Sequence, residues 1–137
     1  MILLDTNVVS ELMRARPEPT VQACVNNQVP ETLLLSSITV AELLYGVGVL
    51  PDGQRKRDMT TKVDRMLDLF ASRILPFDNL AARCHADRAV SARAAGLGFP
   101  APDSYIAAIA AAHGFAVATR DPSAFVAAGV SVINPWA

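Results

Sequence analysis

Short apolar bursts that stop at polar or acidic residues set the architecture of this chain. The first, Met1-Ile2-Leu3-Leu4, runs without polar alternation into Asp5. Such a run predicts a strand buried on both faces, with Asp5 delivered at its carboxyl end. Further bursts follow at Thr32 to Leu35, at Ile74 to Phe77 ahead of Asp78, at Ala116 to Thr119 ahead of Arg120-Asp121, and at Val130 to Ile133. Helical stretches separate them: Thr6 to Met13, Thr20 to Asn27, Val40 to Leu50, Gln54 to Ser72, Asn79 to Ala95, Ser104 to His113 and Ser123 to Ala128. Breakers such as Pro51-Asp52-Gly53, Gly96 and Gly114 punctuate these segments. Alternating strands and helices predict an α/β fold, with a parallel sheet of about five strands, right-handed crossovers and helices on both faces.

Size and composition narrow the class. A chain of 137 residues is expected to form one domain, residues 1–137. An apolar share of 52% predicts a full core and an oligomer surface besides. The net charge of -1 gives no global attraction to nucleic acid, so binding to a polyanion has to be local or metal-mediated. Cys24 and Cys84 belong to no metal or redox motif and read as reduced core residues. The opening apolar run lacks a basic flank and is too short for a signal peptide, and no stretch reaches membrane-spanning length; a cytoplasmic protein is expected. The helix over Gln54 to Ser72 carries Arg55, Lys56, Arg57, Lys62 and Arg65. They read first as a solvated face and second as a track for an RNA backbone.

Four acids stand out, and each has an ordinary structural explanation. Asp5 and Asp121 precede helices and suit N-caps, as does Asp78. Thr39-Val40-Ala41-Glu42 fits a capping box, and Asp103 can complement a helix dipole from the first turn. Capping does not explain why Asp5, Glu42, Asp103 and Asp121 should all arrive at the carboxyl edge of one sheet, where open α/β folds bind ligands. Like charges gathered there repel unless a cation compensates. An all-oxygen donor set favours Mg²⁺ or Mn²⁺ over zinc. A hard cation held by carboxylates takes substrate phosphate as a further ligand, which points to phosphoryl transfer or phosphodiester hydrolysis. His85 and His113 sit within or at the end of helices and read as structural.

The segments Leu4-Asp5-Thr6-Asn7-Val8-Val9-Ser10-Glu11-Leu12, Ser37-Ile38-Thr39-Val40-Ala41-Glu42-Leu43 with Gly46, Asp103-Ser104-Tyr105-Ile106-Ala107-Ala108 and Ala118-Thr119-Arg120-Asp121 resemble, in order and spacing, the PIN-domain ribonucleases. More narrowly they resemble the VapC/FitB toxins of toxin-antitoxin pairs, and the closing Val132-Ile133-Asn134-Pro135-Trp136 is similar to the FitB-like ending. The resemblance implies a Mg²⁺- or Mn²⁺-dependent endoribonuclease that forms a homodimer and is inhibited by a small DNA-binding antitoxin. It places Asp5, Glu42, Asp103 and Asp121 as metal and catalytic acids, with Asn7 and Thr119 in support. The chain departs from the pattern after Asp121, where Pro122-Ser123-Ala124-Phe125 brings no further acid. Two other readings stand beside this one. A phosphatase of the haloacid-dehalogenase type would want a second Asp where Asn7 lies, and a non-catalytic partner-binding subunit would not need all four acids.

Overall fold

The computed structural model describes all 137 residues, Met1–Ala137. In chain order the elements are β1 (Ile2–Leu4), α1 (Thr6–Leu12), α2 (Pro19–Asn26), β2 (Leu33–Ser36), α3 (Ser37–Gly48) and α4 (Gln54–Leu69). There follow β3 (Ile74–Leu75), α5 (Asn79–Ala94), α6 (Asp103–His113), β4 (Ala116–Ala118), α7 (Ser123–Ala127) and β5 (Val132–Ile133). The five strands form one sheet in the order β3-β2-β1-β4-β5, and every pairing is parallel. The α/β sandwich expected from the sequence is therefore present.

Strand periodicity explains why helices cover both faces. Leu3 pairs in register with Leu34 on one side and Val117 on the other. All three point into one core with Ile106, Ala107, Ile109 and Ala110 of α6, Ala81 of α5 and Phe125 of α7. Their neighbours Leu4, Leu33, Leu35 and Ala118 point the opposite way. There they meet Val8 and Val9 of α1, Val21 of α2, Leu43 of α3 and Val63 of α4. A sheet buried on both faces cannot alternate with polar residues, which is why its strands read as unbroken apolar bursts.

The same two-sidedness fixes where a crevice opens. The chain leaves β1 for β2 and then β3, with α1 to α4 on one face. It then crosses to β4 and β5 with α5, α6 and α7 on the other. Right-handed crossovers require the face to change when the direction of travel reverses. The reversal falls between β1 and β4, the topological switch point at whose carboxyl end α/β folds leave room for a ligand.

Element boundaries differ from the sequence expectation where local chemistry intervenes. Only Ile74–Leu75 of the expected strand Ile74 to Phe77 pairs, because Pro76 has no N–H to donate and β3 is an edge strand. Helix α3 starts at Ser37, three residues before the expected Val40, because Ser36 caps it by accepting the Thr39 N–H at 3.1 Å. Gly114 closes α6 at φ 70°, a left-handed cap as its glycine predicts. Asp78 caps α5 by accepting the Ala81 N–H at 3.0 Å. Cys24 and Cys84 are free, as expected, but half-buried on helices rather than in the core. No helix is long and apolar enough to cross a membrane.

Because Leu35 is fully buried in central strand β2, Leu35→Ala is expected to lower stability by about 2–5 kcal/mol. Urea denaturation checks this: the midpoint should fall with little change in slope. A loss below about 1 kcal/mol would contradict the packing described.

Candidate active site

The four acids singled out in the sequence line one cleft of about 530 Å³ at the carboxyl edge of the sheet. Asp5 follows β1 and is only 3% exposed. Glu42 lies in the second turn of α3, Asp103 is the first residue of α6, and Asp121 is an exposed residue after β4. Thr6, Asn7, Ser10, Glu11, Arg14, Arg120 and Trp136 complete the wall.

The capping explanations separate at this level. Asp5 does cap α1, accepting the Thr6 N–H at 2.8 Å. The capping box proposed for Glu42 is absent: Ser36 is the cap, Thr39 is inside the first turn, and Glu42 is one turn too late to reach the helix start. Asp121 is not the cap of α7 either, since the chain enters that helix through Pro122 without a side-chain cap. Pro102 similarly precedes α6 without one, which leaves the Asp103 carboxylate uncommitted.

Hydroxyl groups hold these carboxylates in place. Thr119 donates to Asp5 Oδ2 at 2.7 Å. Its oxygen accepts the Asp121 N–H at 3.1 Å and the Asn7 amide at 3.4 Å. The Asn7 amide also reaches Asp121 Oδ2 at 3.4 Å. Thr6 donates to Glu42 Oε1 at 2.7 Å. A hydroxyl has a single proton, so the 2.9 Å contact between Thr6 and Thr39 requires Thr39 to donate. The 3.4 Å contact from Ser36 to Thr39 continues the series. Three hydroxyls thus point their protons in sequence, Ser36 to Thr39 to Thr6 to Glu42, and join the ends of β2 and β1 to an acid on α3.

Electrostatics leave the acids short of cations. Burial pushes the Asp5 carboxyl up to about 6 from its ordinary 3.8. Asp103 and Glu42 add to the rise, while the bonds from Thr119 and the Thr6 N–H oppose it. Asp103 is also raised, first by burial and then by the charges of Glu42 and Asp121. The chain's two ion pairs, Arg14 with Glu11 and Lys56 with Asp52, include none of the four. No three acids close into a ready-made cage. The donor set is therefore an open, all-oxygen arrangement with excess negative charge. That fits Mg²⁺ or Mn²⁺, which keep several waters and do not need a full protein cage.

A PIN domain model matches residues 2–129. The chain belongs to the PIN-domain family. It is 49% identical to the VapC ribonuclease Y4jK of Sinorhizobium fredii, over 99% of this chain and 98% of that protein. It is 46% identical to the toxin FitB of Neisseria gonorrhoeae, over 99% of both. The solved structure of FitAB bound to the IR36 DNA fragment superposes with a TM-score of 0.95 at 45% identity, covering 100% of this chain and 96% of that one. The PIN match sets aside the phosphatase reading. It agrees with Asn7, whose amide is turned toward Thr119 and Asp121, at the position where that reading wanted an acid.

Asn7 and Thr119, the supporting residues that the resemblance implies, lie beside Asp121 and Asp5. Thr6, Thr39 and Ser36 escaped notice as site residues. Nothing in their types marks them, and only the folded proximity of the ends of β1 and β2 brings their hydroxyls together. Buried Glu11 was also missed; it accepts from Arg14 at 3.3 Å and from the Glu18 N–H at 3.4 Å. The histidines lie outside the cleft lining: His85 packs against the Phe99 and Tyr105 rings with Ser104 Oγ at 3.2 Å, and His113 stacks on Phe115. Much of the basic face of α4 is committed locally, Lys56 to the Gly48 carbonyl, Arg57 to Gln54 and Lys62 to the Met13 carbonyl.

The raised Asp5 carboxyl has a definite sign for metal-free stability. The folded chain holds this proton more tightly than the unfolded one, so the stabilisation is complete below pH 3.8 and is lost as pH rises through about 6. Over that window it amounts to ~3 kcal/mol. Metal-free protein is therefore expected to melt higher at pH 5 than at pH 7.5, and Asp5→Asn should lose most of that difference. Thermal melts in a chelator across this range decide it; an unchanged pH response in Asp5→Asn would refute the assignment.

Proposed function

We propose that residues 1–137 act as one PIN nuclease domain that hydrolyses RNA phosphodiester bonds with Mg²⁺ or Mn²⁺. In this reading it is the cytoplasmic toxin of a toxin-antitoxin pair, working as a homodimer and inhibited by a small DNA-binding antitoxin. The observation that carries the proposal is the meeting of four carboxylates at one switch-point cleft with no Lys or Arg side-chain nitrogen within 4.0 Å of their oxygens. Similarity to the VapC ribonuclease Y4jK and the toxin FitB supports RNA as substrate and the toxin role. The structure of FitAB on DNA supports a DNA-binding partner. Exposed Leu80, Val90 and Leu97 offer apolar surface for a second copy.

Asp5, Glu42, Asp103 and Asp121 would hold the cation, with Asp5 as the most rigidly placed. When bound, such a cation supplies water activation and neutralises charge developing on the phosphate. The chain's own groups set the geometry. Thr119 and the Thr6 N–H fix both Asp5 oxygens, so this carboxylate cannot rotate away. Thr6 anchors one oxygen of Glu42, which lines the cleft, and leaves Oε2 without a protein donor. Asn7 ties Asp121 to the end of β4, so the acid from the β4–α7 loop stays beside the one from β1.

Asp5→Asn and Glu42→Gln should each lower cleavage of single-stranded RNA by more than about 100-fold, equivalent to ~2.7 kcal/mol of barrier, in proteins that remain folded. Wild-type rates in either variant would overturn the site. Mg²⁺ or Mn²⁺ at about 100 times its Kd should stabilise the wild type by ~2.7 kcal/mol. Thermal shift that shows no stabilisation by either ion, with or without RNA, would count against metal dependence.

A further inference from the structure

Two cations line the cleft, and only one is neutralised. Arg14 pairs with buried Glu11 at 3.3 Å. Arg120 has no carboxylate within 4.0 Å, although Asp121 is its neighbour in sequence and Asp5, Glu11, Glu42 and Asp103 share its cleft. Its guanidinium lies over the Trp136 ring instead, 4.8 Å from the centroid. Trp136 is itself held: it packs against the core on the α1–α4 side of the sheet, and its backbone N–H is accepted by Asn134 Oδ1 at 3.0 Å. The Arg120 backbone is fixed as well, by its N–H to Asn7 Oδ1 at 3.5 Å. The closing Asn134-Pro135-Trp136 thereby returns to the rim of the acidic cleft.

A free guanidinium in a cleft with four unpaired acids would ordinarily be drawn onto them. Stacking on an indole face holds it aside, since Trp is the best of the aromatic platforms for a cation. The result is a separated pair of features lining one cleft: unpaired acids, and an unneutralised, planar, multi-donor cation held on an indole ring. Guanidinium is the side chain best matched to a phosphate through paired N–H bonds.

We propose that Arg120 binds a backbone phosphate of the RNA beside the one being cleaved, and that Trp136 is the positioning residue that keeps it off the acids. This inference rests on the ribonuclease reading above and adds a substrate contact to it. The contact is with phosphate, so it carries affinity independent of base sequence.

The test measures binding and cleavage separately. Binding is followed by fluorescence anisotropy, using a labelled single-stranded RNA, 2'-O-methylated throughout, in a chelator that withholds the cation needed for cleavage, over a range of salt concentrations. Arg120→Ala should weaken binding about tenfold and reduce the slope of log affinity against log salt by about 0.7, the share of one phosphate contact on a single strand. Arg120→Lys should restore the slope while recovering only part of the affinity. Trp136→Phe should weaken binding less than Trp136→Leu, which should approach Arg120→Ala, with the melting temperature of each variant recorded. In cleavage of the unmodified strand, the loss in Arg120→Ala should fall on KM more than on kcat. An unchanged salt slope in Arg120→Ala, or a loss confined to kcat, would overturn the proposal. Wild type that binds the modified strand yet never cleaves the unmodified one would overturn the nuclease reading while the Arg120 comparison still decides the contact. Wild type that binds no RNA would overturn both.

Discussion

A carboxylate buried at the end of a central strand is the constraint on which the rest of the structure depends. Asp5 is almost wholly removed from water, and an unpaired charge in such a place costs several kcal/mol unless its oxygens find donors. The chain provides two, the Thr6 N–H and the Thr119 hydroxyl, one to each oxygen. They do not suffice, because burial still outweighs them and holds the carboxyl near 6. Nearby Glu42 and Asp103 deepen the deficit. A protein that only needed a helix cap at this position would not surround it with further acids.

The fold determines which segments can share this point. Reversal of the winding direction between β1 and β4 separates the helices that follow these strands onto opposite faces, opening space at their carboxyl ends. Asp5 comes from β1, the Thr119 to Asp121 turn from β4, and the Ser36 to Glu42 stretch from the end of β2 beside β1. Asp103 enters at the start of α6, which packs on the α5–α7 side of the sheet. Residues separated by more than a hundred positions along the chain, such as Asn7 and Asp121, become neighbours through strand pairing alone.

Much of this was legible in the sequence, because the strongest signals are the least local in meaning. Unbroken apolar runs such as Met1 to Leu4 declare burial on both faces, and acids closing such runs declare the edge at which a site forms. Boundaries were less legible. Nothing in the periodicity near Thr39 shows that Ser36 rather than Thr39 caps α3, since both are good caps and the choice depends on where β2 ends. The burst at Ile74 to Phe77 hides the loss of pairing at Pro76. The hydroxyl series from Ser36 to Glu42 was illegible for another reason: serine and threonine are common at helix starts, and their proton directions follow only from which oxygens meet in space.

That the acids are oriented by hydroxyls and not by lysine or arginine bears on what the cleft can do. A basic side chain at Thr6 or Thr119 would also fix a carboxylate, but it would cancel the charge and occupy the space of any incoming cation. A hydroxyl fixes one oxygen, adds no net charge and leaves the opposite oxygen of Glu42 available. Neutrality of the donors is thus what allows the carboxylates to be rigid and still electrostatically unsatisfied. The cleft's two arginines follow the same separation, one tied to Glu11 and one lying over Trp136. With a net charge of only -1 over the whole chain, attraction for a cation cannot come from the protein at large. It has to come from this local imbalance, built by keeping positive side chains near the acids and out of contact with them.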